Sequence, residues 1–202
     1  MKISIFLLIS FVISCSISQD NNFKDGDLIF QTSKSTQSKA IQIATKSKYS
    51  HMGIIYNKNG QLYVYEAVQP VKFTKLEDWI KRGEGSKFAV KRLKEADKLI
   101  NAVNLKKLKN SGKKYLAKNY DIYFEWSDER IYCSELVWKM YNEVLRIEIG
   151  KLERLGDFEL SHPIVRDKLT ERFGSHIPNN EKVISPVTMF NSELLTLVYS
   201  NY

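Results

Sequence analysis

Cysteine is close to absent from this chain: its 202 residues include two, Cys15 and Cys133. A disulfide framework is therefore excluded as the source of its stability. No CxxC or HExxH spacing occurs, and two of the three histidines, His162 and His176, sit late in the sequence. Neither a metal site nor a cofactor is expected from such a pattern. A glycine-rich phosphate loop is missing too. The longest apolar stretch, Ile3 to Ile13, is too short to cross a bilayer as a helix. No run interleaves aromatic residues with arginine, so nucleic acid is not expected as a partner. The sequence also lacks internal repeats and low-complexity linkers.

What remains is an ordinary globular composition, 43% hydrophobic and 27% charged. The length suits one domain with a sizeable core, placed at residues 22–202. Basic residues outnumber acidic ones by 31 to 23, giving a net charge of +8. That excess favours anionic surroundings such as envelope polymers or lipid headgroups. The basic residues are scattered, which also suits a plain solvated surface.

The first residues, "MKISIFLLISFVISCSISQ", combine Lys2, an apolar stretch and small residues, the pattern of a secretory signal peptide over residues 1–18. "VISC" matches a bacterial lipobox, with cleavage before Cys15 and acylation of that residue; cleavage after Ser18 is the alternative. The chain is thus expected to cross the bacterial inner membrane and act in the periplasm or as an envelope lipoprotein, held to the membrane through Cys15. Either cut removes Lys2 alone among the charged residues and leaves Cys133 without a disulfide partner. A lone thiol in an oxidising compartment stands out.

Local patterns outline the elements. "GDLIF" at Gly26–Phe30 reads as a turn and a short strand. "STQSKAIQIATKS" reads as a helix capped by Ser35 or Thr36, with Ala40, Ile41 and Ala44 on one face. Two β-rich runs flank Asn59-Gly60, a strong hairpin signal. A turn region at Gly83–Gly85 precedes a strand at Lys87–Leu93. Helical spacing runs from about Asp97 to Lys118 through Leu105, Leu108, Tyr115 and Leu116, with Gly112 against it. Cys133–Leu145 is amphipathic, its apolar face built from Leu136, Val137, Met140, Tyr141, Val144 and Leu145. After Gly150, three prolines break the chain into short pieces that read as a lid or wrapping subdomain. Helices segregated from a small antiparallel sheet indicate an α+β fold.

Cys133 is the residue on which chemistry depends. A thiol attacks carbonyls as the thiolate, which a helix N-terminus and a nearby imidazolium both favour. Cys133 lies at a helix start, although a lone cysteine also serves as a small buried apolar group. His51 opens the strand "HMGIIY", whereas His162 and His176 read as solvated loop residues. If Asn59-Gly60 is a two-residue turn, residues whose numbers sum to 119 face each other across the hairpin. Glu66 then becomes a diagonal neighbour of His51 on the same face, placed to orient the imidazole. A three-residue loop would separate the two.

The segments "GDLIF", "YSHMGIIY", "YVYEAV", "YCSELVWKMY" and "ISPVTMF", in this order, resemble the YiiX/YaeF-like family of NlpC-type, papain-like cysteine peptidases with circularly permuted topology. The resemblance implies a permuted papain-like fold, with a small antiparallel sheet packed on the cysteine-bearing helix. It also implies Cys133 as nucleophile, His51 as base and Glu66 as the orienting residue. The leading expectation is a cell-envelope cysteine hydrolase cleaving an amide, foremost in peptidoglycan-type peptides. An acyl hydrolase or acyltransferase for lipids or lipoyl-peptides, using the same triad, is the second. A non-catalytic envelope-binding module is the third. Tyr49 and Tyr132 flank the reactive residues as packing groups or donors, and Ser50, Gly26 and Asp27 are further cleft-shaping positions. The oligomeric state is left open.

Overall fold

The computed structural model describes residues 22–202; the leader, its two cleavage points and Cys15 lie outside the described residues. The first element among the described residues is strand β1 (Leu28–Ser33), which crosses to helix α1 (Thr36–Ala44). Of the two expected caps, Ser35 and Thr36, it is Ser35 that caps α1, its hydroxyl accepting from the N–H of Ser38. Strands β2 (His51–Lys58) and β3 (Gln61–Glu66) follow as a hairpin. Its two turn residues, Asn59 and Gly60, have φ of 54° and 83°, the left-handed pair that a two-residue turn with native twist requires. Lys58 therefore pairs with Gln61 and Ile54 with Tyr65, the register expected from the sequence.

Strand β4 (Lys72–Lys75) runs into helix α2 (Leu76–Arg82), which passes without a break into the long strand β5 (Gly83–Leu93). The turn expected at Gly83–Gly85 is instead the start of this strand, where Gly83 pairs with Ser33 past an irregularity in the β1–β5 ladder. The expected helix from Asp97 to Lys118 is two helices, α3 (Ala96–Leu99) and α4 (Ala102–Lys113). The break has a local cause: the Asn101 side chain accepts from the N–H of Asn104 and starts a new helix. Gly112 stays inside α4, because a side chain there would meet the Tyr65 ring and the Met140 methyl, each 3.1 Å away.

Helix α5 spans Cys133–Leu145, with Leu136, Val137, Met140 and Tyr141 buried against the sheet. Beyond it come a short strand β6 (Glu153–Arg154), helix α6 (Pro163–Phe173), strand β7 (Lys182–Val183), helix α7 (Pro186–Phe190) and strand β8 (Leu195–Ser200). Only part of this late region is the expected wrap. β6 and β7 pair with each other, but β8 joins the main sheet beside β5.

The main sheet is antiparallel, in the order β4-β3-β2-β1-β5-β8. One face, carrying Phe30, Met52, Ile54 and Tyr56, packs on α5 in the larger core. The other, carrying Ile29, Ile55, Val64 and Val90, packs on Leu76 and Trp79 of α2. A third cluster joins Ala40 of α1 to Leu155, Val183 and, on α6, Val165 and Leu169. The expected α+β architecture, a small antiparallel sheet against the cysteine-bearing helix, is what the chain forms.

Candidate active site

Period-two alternation along β2 puts Met52, Ile54 and Tyr56 toward α5 and turns His51, Gly53 and Ile55 the other way. Alternation alone would thus leave the sheet between His51 and the cysteine helix. His51 escapes this because it is the first residue of its strand, at the sheet's end, where its side chain comes near enough to that of Cys133 for the sulfur to raise its pKa. Cys133 is the first residue of α5, so its backbone N–H has no acceptor within the helix. Both are buried, and Cys133 is the free cysteine among the described residues.

The hairpin delivers the third residue. His51 Nε2 lies 2.6 Å from Glu66 Oε2, which leaves Nδ1 as the ring nitrogen for the sulfur. Gly53 keeps the crossing clear: a Cβ there would sit 2.5 Å from Val64 Cγ1 and 2.7 Å from the Tyr65 carbonyl oxygen. Sequence reading missed the groups that hold Glu66. Arg82 Nη2 donates to both carboxylate oxygens at 2.6 Å, and Thr74 Oγ1 donates to Oε1 at 2.5 Å. The Trp79 ring lies over His51, with centroids 5.9 Å apart and an interplanar angle of 27°. No local signal marks these three residues, since each arrives from β4 or α2.

The charges follow from this arrangement. Burial by itself would push the imidazole of His51 toward neutrality. The proximity of Cys133, the hydrogen bond to Glu66 and the negative charge of both partners outweigh burial and raise its pKa to about 9. Burial likewise opposes ionisation of Glu66, but the His51 hydrogen bond and charge, with Arg82 behind them, hold its carboxyl at about 2. Hence the buried pair is imidazolium and carboxylate at neutral pH.

Two openings meet at this point. On the Cys133 side lies an apolar cleft of about 90 Å³, walled by α1, α6 and the segment 183–186. Its lining includes Ala40, Phe124, Leu155, Val165, Leu169 and Ile184. On the His51 side lies a wider groove of about 780 Å³. Gln37, Ile41, Ser50 and Tyr120 line both, and so stand at the junction. Burial, reinforced by the nearby Cys133 charge, raises the Tyr120 phenol well above its ordinary pKa, so it keeps its proton and can donate. Tyr120 was not singled out in the sequence.

The remaining expected positions divide. Ser50 is in the site, its hydroxyl bonded to Ser38 at 2.6 Å and accepting from the N–H of Ser33 at 2.9 Å. Tyr132 lines the cleft, and its hydroxyl accepts from the N–H of Ile184. Tyr49 is a packing residue, stacked on Phe190 at 4.2 Å. Gly26 and Asp27 are not at the cleft: the Gly26 carbonyl accepts from Tyr141, and Asp27 pairs with Arg92 at 2.6 Å. His162 caps α6 and His176 is exposed, so neither competes with His51.

Comparison with known proteins places the chain in a family. Residues 22–199 match the family described as "Permuted papain-like amidase enzyme, YaeF/YiiX, C92 family". The uncharacterized protein YiiX of Escherichia coli K12 is 47% identical over 173 residues, covering 86% of this chain and 84% of that one. A crystal structure titled as metalloprotein yiiX from E. coli O157:H7 superposes with a TM-score of 0.84 at 46% identity. The match covers 89% of this chain and 98% of that one.

Proposed function

Given that this chain belongs to the YaeF/YiiX family of permuted papain-like amidases, and is a cysteine amidase-like hydrolase, we propose that Cys133, His51 and Glu66 are its catalytic triad and that its substrate is an amide with an apolar acyl half. Membership in a family of enzymes also sets aside the non-catalytic reading. The observation that carries the substrate choice is the apolar cleft beside the sulfur.

In this reading the Cys133 thiolate, stabilised by imidazolium and helix start, attacks the carbonyl carbon. A carbon–sulfur bond forms, and the oxyanion is met by the Cys133 N–H and the Tyr120 hydroxyl. His51 hands its proton to the nitrogen as the carbon–nitrogen bond breaks and the amine leaves. Water, deprotonated by His51, then cleaves the thioester and frees the acid and the thiol. Glu66 keeps Nε2 engaged, so that Nδ1 faces sulfur throughout.

A cleft of about 90 Å³ is smaller than the ~150 Å³ engineered cavity that admits benzene. It suits a short apolar group or the first carbons of a longer chain. A second reading, a peptidoglycan-type peptide, is favoured by the wide groove beside His51, which is open enough for an extended polar chain. Incubation with muropeptides and with N-acyl amides, scored by mass spectrometry, separates the two. Cleavage of the acyl amides is expected, and a product that persists with Cys133→Ala would remove the triad from the mechanism.

The related crystal structure carries the word metalloprotein in its title. The residues here do not fit a bound metal. Both Glu66 oxygens face the Arg82 guanidinium and His51 Nε2 faces Glu66, and no cluster of three or more suitable ligands exists among the described residues. No step is assigned to one.

Export and an acyl anchor at Cys15 belong to the same proposal, since they would place the enzyme at a membrane surface. Labelling cells with a fatty-acid analogue is expected to mark the wild type and not Cys15→Ala.

A further inference from the structure

The groove on the His51 side differs from the cleft in charge as well as width. Its lining contains Lys34, Arg82 and Arg130 and not one aspartate or glutamate. Ser33, Ser35, Thr36, Gln69 and Asn119 add neutral polar groups. Glu66 lies behind this wall, fully buried and already committed to His51, Thr74 and Arg82.

Of the three cations, Arg130 is matched by two carboxylates, whereas Lys34 and Arg82 keep donors free. Arg82 spends Nη2 on Glu66 while its side chain is 41% exposed, so the other guanidinium N–H groups remain for a ligand. Arg130 donates through Nη2 to Glu125 at 2.7 Å, with Nε 3.7 Å from Asp121. Lys34 has a carbonyl, that of Lys81, at 3.5 Å and no carboxylate partner among the described residues. Excess positive charge in a walled groove concentrates anions there.

An amidase needs room on both sides of the scissile bond. With the acyl half in the apolar cleft, the amine half falls in this groove, past Tyr120 and His51. We infer that the leaving amine carries an anionic group, a carboxylate or a phosphate, which Lys34 and Arg82 recognise. This rests on the amidase reading above and names the other half of its substrate. The same geometry ties recognition to catalysis, because Arg82 touches both the groove and the carboxylate that orients His51.

The test uses the full chain and three substrates sharing an octanoyl group: N-octanoylglycine, N-octanoylphosphoethanolamine and the neutral N-octanoylethanolamine. At low salt, kcat/KM for at least one anionic substrate is expected to exceed the neutral one about tenfold or more, the better of the two identifying the anion. The ratio should shrink in high salt as the groove is screened. Lys34→Glu and Ile122→Glu each place a carboxylate at an exposed position in the groove, and each should cut the anionic-to-neutral ratio several-fold. Hydrolysis of all three at equal rates, or a preference that neither variant alters, overturns the inference while leaving the amidase intact. Hydrolysis of none, with Cys133 still alkylated rapidly by iodoacetamide, counts against the acyl-amide reading beneath it.

Discussion

His51 Nε2 and Glu66 Oε2 stand 2.6 Å apart, fifteen residues apart in the chain, because a two-residue turn fixes how β2 pairs with β3. Had the loop held one more residue, Glu66 would have pointed to the other face. Arg82 and Thr74 hold the far side of the same carboxylate, so the imidazole is oriented by a group that is itself fixed.

Glu66→Gln should therefore lower kcat by about 10²–10⁴-fold with a smaller change in KM, the range spanned by losing an oriented acid–base partner. Steady-state kinetics on an octanoyl amide check this. Arg82→Gln should lower kcat less, since the carboxylate keeps His51 and Thr74. Full activity in Glu66→Gln would take Glu66 out of the proposed triad.

The state of His51 can be read by NMR titration. Its pKa is raised from 6.5 to about 9, and the largest raising influence is the neighbouring Cys133. Cys133→Ala should move it back down, because burial then meets one partner fewer. The sign for stability follows by linkage. The His51 contribution is full below pH 6.5 and fades as pH rises through about 9. That of Glu66 is full above pH 4.5 and fades as pH falls through about 2. Tm compared between wild type and His51→Ala across this range should converge at the alkaline end. An imidazole titrating near 6.5 in the wild type would contradict the buried ion pair.

The apolar cleft should show itself in chain length. Across a series of N-acyl amides from acetyl upward, each methylene that enters the cleft should raise kcat/KM by up to about fourfold, the equivalent of ~0.8 kcal/mol per CH₂. The series should flatten once the cleft is full. Leu169→Trp on α6, which puts an indole into the cleft wall, should flatten it earlier while iodoacetamide still reacts with Cys133.

Gly53 is the packing test. A methyl at this position meets Val64 Cγ1 and the Tyr65 carbonyl oxygen closer than side chains tolerate. Gly53→Ala is expected to destabilise the fold by about 1–3 kcal/mol, the range for overpacking, seen as a lower urea midpoint. Because the methyl also pushes β2 from β3 beside Glu66, activity should fall below what the residual folded fraction accounts for.

Local signals carried much of this site. Asn59-Gly60 determined the hairpin register and hence the His51–Glu66 diagonal, because turn geometry and strand alternation act over neighbouring residues. The amphipathic spacing after Tyr132 set Cys133 at the start of α5 by the same kind of short-range rule, and the family motifs supplied their order. Tertiary structure decided the rest. It carried Arg82, Thr74 and Trp79 from β4 and α2 to the back of the pair, and brought Cys133 around the sheet's end to a histidine that alternation turns the other way. It also assembled an apolar wall from α1, α6 and residue 183 onward, and moved the last strand into the main sheet. These contacts join elements far apart in sequence, and their free energy depends on which surfaces finally pack, a property that no local pattern of residues encodes.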